Sequence, residues 1–294
     1  MRILNFGSLN LDYVYQTDHF VRPGETLAAQ SRTVKAGGKG LNQSVALARA
    51  GMAASHAGCL GPGGEPLKEF LEENGVDTEF LFPVQEAQGH TVIQVDREGE
   101  NSILLWGGSN RCVREEHVRK ALGSFGQGDW LILQNEISGL PLILKLAAER
   151  GMHIALNPSP YDSALEKADL SAVEWLLVNE TEAEQISGER EPEKAWEKIH
   201  AKYPGMSLAV TLGKGGSTAF RACGGATEIH HEGAVPVAAA DTTGAGDTYT
   251  GYFIAGITEG MPLDECMKRA SRAAAIAVTR PGAAESIPRK DELE

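Results

Sequence analysis

The sequence predicts an α/β fold: a three-layer α/β/α sandwich with a mostly parallel central sheet and a small antiparallel β sheet standing off it as a lid. Three observations predict it. Short apolar runs alternate with helix-period patterns along most of the chain. Alternation of that kind builds βαβ units whose sheet is covered on both faces. Two stretches break the rhythm with extended pieces around turns. The 294 residues exceed the size at which one core usually stops growing, so one large domain with a small appendage is expected, not two equal ones.

In chain order, Ile3–Gly7 is the first apolar run and predicts a strand. Leu11–Val34 departs from the rhythm: Asp12–Gln16 and Thr26–Val34 read as extended, separated by the turn Arg22-Pro23-Gly24-Glu25. A helix is expected over Gly40–Ala50, whose Ala46, Ala48 and Ala50 suit close packing, then a strand at Ala54–Cys59 and a helix at Pro66–Asn74. His90–Trp106 reads as a hairpin, Val92–Asp96 and Ser102–Trp106 around Arg97-Glu98-Gly99-Glu100. The two irregular stretches together predict the small sheet, which beside an α/β crevice makes a good lid; an edge extension of the main sheet is the other reading. Strands are then expected at Trp130–Gln134, Ile154–Asn157, Trp175–Val178 and Leu208–Thr211. Helices are expected at Glu115–Leu122, Pro141–Arg150, Thr181–Ile186, Pro192–Tyr203, Gly246–Glu259 and Pro262–Thr279. The core thus comprises 1–10, 35–89 and 107–294, and the lid 11–34 and 90–106.

Composition excludes several function classes. The net charge of −13 disfavours nucleic acid and acidic membranes as partners. It also means that phosphate charge must be met locally, by backbone amides, a few basic side chains and divalent metal. No run is apolar and long enough to span a bilayer, and the N-terminus Met1-Arg2-Ile3-Leu4-Asn5-Phe6 is too short and apolar-poor for a signal peptide. Cys59, Cys112, Cys223 and Cys266 are scattered without CxxC spacing, which argues against a zinc site or disulfide framework and fits a reducing cytoplasm. His230 and His231 are adjacent, so on a strand they face opposite ways, as in a surface hairpin.

Ligands of open parallel sheets bind beyond the carboxyl ends of the strands. The residues that follow the apolar runs are Asn10 and Asp12; Asn135 and Glu136; Asn157-Pro158; Asn179-Glu180-Thr181-Glu182; and Gly213-Lys214-Gly215-Gly216. Each is an ordinary cap or turn by itself; their coincidence on one rim is not explained by capping. Near the C-terminus, Gly244-Ala245-Gly246 runs into an apolar helix pattern with Asp247 in its first turn. Free N–H groups at such a helix start attract negative charge, and the carboxylate adds a proton acceptor beside them. Phosphoryl transfer to a hydroxyl needs that pairing. An Asp at this place is also a favourable cap, and the glycines also suit a tight turn, so both readings stand on these residues. A second glycine loop, Gly37-Gly38-Lys39-Gly40-Leu41-Asn42, is neither a Walker A loop nor a dinucleotide signature.

These residues resemble, nearly end to end, the ribokinase family of ATP-dependent sugar kinases, the PfkB-type carbohydrate kinases. Gly7-Ser8-Leu9-Asn10-Leu11-Asp12 is similar to the first sugar-binding segment and Pro23-Gly24-Glu25-Thr26 to the lid turn. Gly37–Gln43 resembles the first family signature, Asn179–Glu184 the metal and phosphate motif, Asp241–Phe253 the second signature and Ala273–Pro288 the cation and nucleotide segment. The resemblance implies a ribokinase-like sandwich, a homodimer paired through the lid, a cytoplasmic location, and ATP, Mg²⁺ and K⁺ as cofactors. It implies an anion hole at Gly244, Ala245, Gly246 and Asp247, with Asp247 as general base toward the sugar hydroxyl. Sugar contacts are implied at Asn10, Asp12, Gly38, Lys39, Gly40, Asn42 and Glu136, with Thr91 and Ile93 from one face of a lid strand. Nucleotide contacts are implied at Asn179, Thr211, Leu212, Gly213, Lys214, Gly215, Gly216, Gly246 and Ser271. Asn179 and Glu182 are implied to act on Mg²⁺ through water, and Asp241, Thr243, Ala277, Arg280, Gly282 and Ser286 to hold K⁺.

Within that family the sugar set best matches D-ribose, phosphorylated at O5. Thr91 departs from the pattern where a small apolar residue faces the sugar, Ser271 stands where His is common and Pro281 where Lys is. A kinase for another sugar or a nucleoside is the alternative, with Tyr13, Tyr15 and Trp106 available either to stack a base or to pack the sheet or a dimer. A non-catalytic sugar sensor is the third reading, disfavoured by the presence of Asp247, the glycine turn, Asn179 and Glu182.

Overall fold

The alternation of apolar runs becomes a nine-stranded sheet with helices on both faces. The computed structural model describes residues 1–166 and 168–293. In order the chain forms β1 (Ile3–Phe6), β2 (Asn10–Gln16), β3 (Ser31–Gly37), α1 (Lys39–Arg49), β4 (Ala54–Leu60), α2 (Glu65–Glu73), β5 (Asp77–Pro83), β6 (His90–Val95) and β7 (Asn101–Trp106). There follow α3 (Glu115–Gly123), β8 (Trp130–Gln134), α4 (Leu140–Glu149), β9 (His153–Asn157), the single turn α5 (Ser163–Glu166), β10 (Trp175–Asn179), α6 (Glu180–Ser187) and α7 (Pro192–Lys202). Last come β11 (Ser207–Thr211), β12 (Ser217–Cys223), β13 (Ala226–Glu232), α8 (Ala245–Thr258) and α9 (Leu263–Val278).

The large sheet has the order β13-β12-β11-β10-β9-β8-β1-β4-β5. It is parallel from β11 to β5, with β12 and β13 added as an antiparallel edge hairpin. Period-two alternation divides its side chains between two cores. Ile3, Trp130, Ile132, Trp175 and Leu177 pack with Val45, Leu71, Phe253 and Met267 of α1, α2, α8 and α9. Leu4, Phe6, Leu131, Leu133 and Leu176 pack on the opposite face with Val118, Ile143, Ala183 and Trp196 of α3, α4, α6 and α7. Each such side chain, fully buried, contributes about 1.5–3 kcal/mol of transfer free energy. Among the described residues no helix is long and apolar enough to cross a membrane.

The lid is a separate four-stranded sheet of order β3-β2-β6-β7, not an extension of the main one. Its outer ladders are antiparallel, but the central β2–β6 ladder is parallel. Each excursion leaves the core on one strand and returns on the next, and the two outgoing strands lie side by side. The extended piece expected over Thr26–Val34 is shifted: β3 begins only at Ser31 and runs through Gly37. Before it lies a loop whose turn is closed by the Glu25 N–H donating to Arg22 O at 3.0 Å.

Two edge elements carried no clear apolar signal. The first half of β5, Asp77-Thr78-Glu79, is polar, and β13 is half-exposed along its length. His230 and His231 do lie in the edge hairpin and diverge, His230 toward Glu228 at 3.2 Å and His231 toward the Thr218 hydroxyl at 2.9 Å.

Candidate active site

Strand β1 sits between β8 and β4, where the chain first winds outward to β4 and β5 and then returns to β8 on the other side. That reversal opens a crevice at the carboxyl ends of the strands. Gly7 and Gly40 let the start of α1 lie against the loop after β1: a Cβ on Gly40 would stand 2.3 Å from the Ser8 nitrogen, and one on Gly7 2.5 Å from Gly40 Cα. The Leu41 N–H donates to Ser8 O at 2.9 Å, tying the helix start to that loop.

Across the crevice, α8 begins at Gly244, whose φ of 76° favours glycine. The Ala245 N–H is spent on Thr242 O at 3.3 Å. The N–H groups of Gly246 and Asp247 have no protein acceptor among the described residues, and a Cβ on Gly246 would meet nothing within 4 Å. The helix therefore presents unspent donors to open space. Asp247 itself is 6% exposed. Its Oδ2 accepts from Asn42 Nδ2 and its Oδ1 from Gln43 Nε2, both at 2.9 Å. Asn42 Oδ1 is buried with no partner among the described residues, an acceptor that suits a ligand hydroxyl.

Gly246 and Asp247 line a cavity of about 240 Å³ together with Lys39, Asn157, Asn179, Glu182, Thr211 and Gly244, while Asn42 and Gln43 stand behind Asp247 without lining it. Burial works against the Lys39 ammonium, but the carboxylates of Asp247, Glu136 and Glu182 outweigh it and raise the Lys39 pKa above the ordinary lysine value. Glu136 accepts from the Ser8 hydroxyl at 2.5 Å and from the Lys39 N–H at 3.1 Å, while burial pushes its pKa up.

A second cavity, about 410 Å³, meets the first at Thr242 and lies between the lid and the loops before α8 and after α9. Asp12, Val14, Gln16, Ile93 and Val95 face it from the lid. Burial raises the Asp12 pKa from 3.8 to about 6, against the opposing hydrogen bond from Thr91. That bond, Thr91 Oγ1 to Asp12 Oδ1, is 2.6 Å, so the extra hydroxyl of Thr91 is directed to a carboxylate of the site. A Cβ on Gly37 would fall 2.0 Å from Asp12 Oδ2, so the carboxylate occupies the space of the missing side chain. Tyr13 and Tyr15 alternate onto the other face of β2, and neither they nor Trp106 line either cavity.

The Asp241 carboxylate ties the two loops behind this cavity, accepting from the Thr243 and Gly282 N–H groups at 2.9 Å each. Burial disfavours its charge, but those donors prevail and lower its pKa. Asp241, Thr243 and Gly282 line the second cavity. Ala277, Arg280 and Ser286 belong to the same C-terminal segment without lining it. Ser286 donates to Ala283 O at 2.8 Å, and the Arg280 side chain turns outward to Glu292.

The remaining residues are distributed less tightly. Asn10 is buried, its Oδ1 accepting from Asn110 Nδ2 at 2.8 Å. Gly38 precedes α1 with φ 95°. Leu212, Gly213, Lys214, Gly215, Gly216 and Ser271 line neither cavity; Gly213–Gly215 form a 3₁₀ turn just beyond Thr211. Asn179 and Glu182 form a capping box, Asn179 Oδ1 accepting the Glu182 N–H at 2.8 Å and Glu182 Oε2 the Asn179 N–H at 3.0 Å. The capping expected of Asn179 is thus present, and both residues still line the first cavity.

No group of three or more His, Cys, Asp or Glu side chains that could cage a metal occurs among the described residues. One carboxylate and an amide fit Mg²⁺ that arrives on nucleotide phosphates and keeps its waters. The Asp241 carboxylate is an oxygen donor of the kind that suits an alkali cation, and both of its oxygens also accept from backbone N–H groups.

Gln43, Ser8 and Asn110 touch predicted residues, and Gln134 touches Gln43, but none of the four was singled out from the sequence. Gln43 lies inside the first glycine signature, a signal that could have found it. Asn110 had none: its 3₁₀ turn, Gly108–Arg111, follows the lid hairpin with no distinctive pattern.

Comparison with known proteins agrees with this architecture. The family model described as pfkB family carbohydrate kinase matches residues 2–290. A ribokinase of Haemophilus influenzae is 37% identical over 297 residues, covering 97% of this chain and 95% of that protein. One of Bacillus subtilis is 32% identical, covering 98% and 96%. The crystal structure of ribokinase from Cryptococcus neoformans var. grubii in complex with ADP is similar with a TM-score of 0.86 at 33% identity, covering 99% and 98%. That of Arabidopsis thaliana ribokinase complexed with ribose and ATP gives 0.85 at 29%, covering 99% and 97%.

Proposed function

This chain belongs to the pfkB family of carbohydrate kinases, and from that premise we propose that it phosphorylates D-ribose with ATP, giving ribose 5-phosphate and ADP. The observation that carries the reading is the start of α8: a buried carboxylate, Asp247, beside two unspent N–H groups in one cleft. The ribose O5 hydroxyl donates its proton to Asp247 as the oxygen attacks the γ-phosphorus. The N–H groups of Gly246 and Asp247 meet the charge on the phosphoryl oxygens, and the Lys39 ammonium adds to their field. Asn10, Asp12, Asn42 and Glu136 hold the sugar hydroxyls, with Gly38 and Gly40 allowing close approach and Ile93 covering the ring from the lid. The lining of the second cavity has no aromatic side chain to stack a base and carries Asp12 and Gln16 on its lid face, which supports a small sugar over a nucleoside.

The nucleotide lies toward Thr211 and the Gly213–Gly216 turn, with Ser271 at its far side. Mg²⁺ neutralises phosphate charge when bound, near Asn179 and Glu182. Asp241, Thr243, Ala277, Arg280, Gly282 and Ser286 would hold K⁺, whose charge would steady the loop that shapes the helix start. Segments 11–34 and 90–106 act as the lid. Edge strand β7 is exposed throughout, with Leu104 71% and Trp106 55% accessible. An apolar sheet edge of this kind favours a partner, so a homodimer through the lid is part of the proposal. Free cysteines at 59, 112, 223 and 266 support a cytoplasmic location.

The test is an ADP-release assay over ribose, deoxyribose, fructose, adenosine and pseudouridine, with and without K⁺. Ribose is expected to give the highest kcat/KM, and a higher value for a nucleoside would overturn the substrate assignment. Sedimentation that detects only a 31.4 kDa species would overturn the dimer.

A further inference from the structure

The Asp247 carboxylate is held from both oxygens, and the two donors differ in kind. Asn42, which binds Oδ2, has a buried oxygen with no partner among the described residues, so nothing fixes its amide from the other end. Gln43, which binds Oδ1, is fully buried and lines neither cavity. Its own amide is fixed from behind. Gln134 Nε2 donates to Gln43 Oε1 at 2.6 Å and to Asn5 Oδ1 at 3.0 Å. Asn5 Nδ2 in turn donates to Gly40 O at 2.8 Å and to Ser44 Oγ at 2.9 Å. Ser44 Oγ is 2.8 Å from His56 Nδ1. All five of these side chains have zero exposure.

We propose that Gln43 is a positioning residue for the Asp247 carboxylate, held by a buried amide chain that runs through Gln134 and Asn5. The inference rests on the reading of Asp247 as the base. The terminal torsion of an aspartate is broad and roughly two-fold, so one donor leaves the carboxylate free to pivot. Donors on different oxygens fix its plane. Phosphoryl transfer depends on positioning more than on basicity, so a fixed carboxylate plane serves the reaction. The chain already leaves Gln134 Oε1 and His56 Nε2 without partners among the described residues, so breaking a further link strands another buried amide, and that cost holds Gln43 in place.

Gln43→Met removes the donor at similar volume. It is expected to lower kcat about 10- to 100-fold with little change in the ribose KM, and to have no further effect in an Asp247→Asn background. Gln43→Glu puts a second carboxyl beside the first, which like charges disfavour ionising together. Its kcat is expected to fall as pH rises through the ionisation of the introduced group, a dependence the parent lacks. Should Gln43→Met not fold, Gln134→Met, which frees the Gln43 carbonyl, is expected to lower kcat in the same direction by a smaller factor. Wild-type turnover in Asp247→Asn overturns the base assignment, and the inference with it. Low turnover there, with wild-type kcat and only a lowered Tm in the Gln43 or Gln134 variants, overturns the inference alone.

Discussion

Two helix starts face the same cleft and use the same local pattern to opposite ends. Both α6 and α8 carry an acid at the third helical position, Glu182 after the cap Asn179 and Asp247 after the cap Gly244. In α6 the cap side chain and the acid satisfy each other's backbone N–H groups. In α8 the cap has no side chain, and the shorter acid turns outward to Asn42 and Gln43 of α1. Each start keeps two N–H groups without an acceptor among the described residues, Glu180 and Thr181 in α6, Gly246 and Asp247 in α8; what differs is that α6 ties its acid to its own cap while α8 leaves its carboxylate for something else. An acid in the first turn is therefore a cap or a reactive group according to whether the cap residue can answer it and what lies across the gap.

Removing the outward-turned acid is the largest test of that contrast. Asp247→Ala is expected to lower kcat about 10²–10⁴-fold with the sugar KM little changed, measured by coupled ADP release. Retained turnover would make α8 another capped helix. Closing the open start is the next: Gly244→Ala forces a side chain onto a φ of 76° with Ala283 3.1 Å from the new Cβ. The strain is about 1–2 kcal/mol, and displacement of the two donors is expected to cost about 10- to 100-fold in kcat. A variant with lowered Tm but normal kcat would separate the backbone shape from the chemistry.

A smaller effect concerns pH. The Asp12 pKa in the folded protein is about 6, above its ordinary 3.8, so kcat/KM for the sugar is expected to fall as pH drops through about 6 and the charged acceptor is lost. Thr91→Val removes a hydrogen bond that lowers this pKa, so the acid limb should move to higher pH; an unmoved limb would assign it to another group. The stability sign is opposite to that of a salt-bridged carboxylate. The folded state binds the Asp12 proton more tightly than the unfolded one, so this group's contribution is present at low pH and is lost as pH rises from 3.8 through about 6.

The smallest effect belongs to the closed start. Asn179→Ala is expected to cost about 1 kcal/mol of stability, read as a lowered Tm, and less kcat than Asp247→Ala. A kcat loss as large as that of Asp247→Ala would mean the two helix starts are not different in kind.

The core strands were legible because each is a short run buried on both faces, as Leu131 and Ile132 of β8 illustrate. Strand β5 was not, because its first residues are polar and it pairs on one side only. The lid strands were visible, yet the parallel pairing of β2 with β6 was not: nothing local to either strand states which neighbour it meets. At the candidate site, Asp247, Asn42 and Lys39 were legible as candidates through their glycine signatures. Asn110 was missed because its role is to grip Leu9 and Asn10, a hundred residues earlier in the chain.

By itself the sequence determined the layers, the crevice rim and the two glycine-led helix starts. Periodicity, caps and turns are set by residues within a few positions of one another. Tertiary structure decided which carboxylate was answered by its own helix and which by Gln43, 204 positions away. Such a bond exists only once the strand order has brought α1 against α8, and no spacing along the chain encodes that meeting.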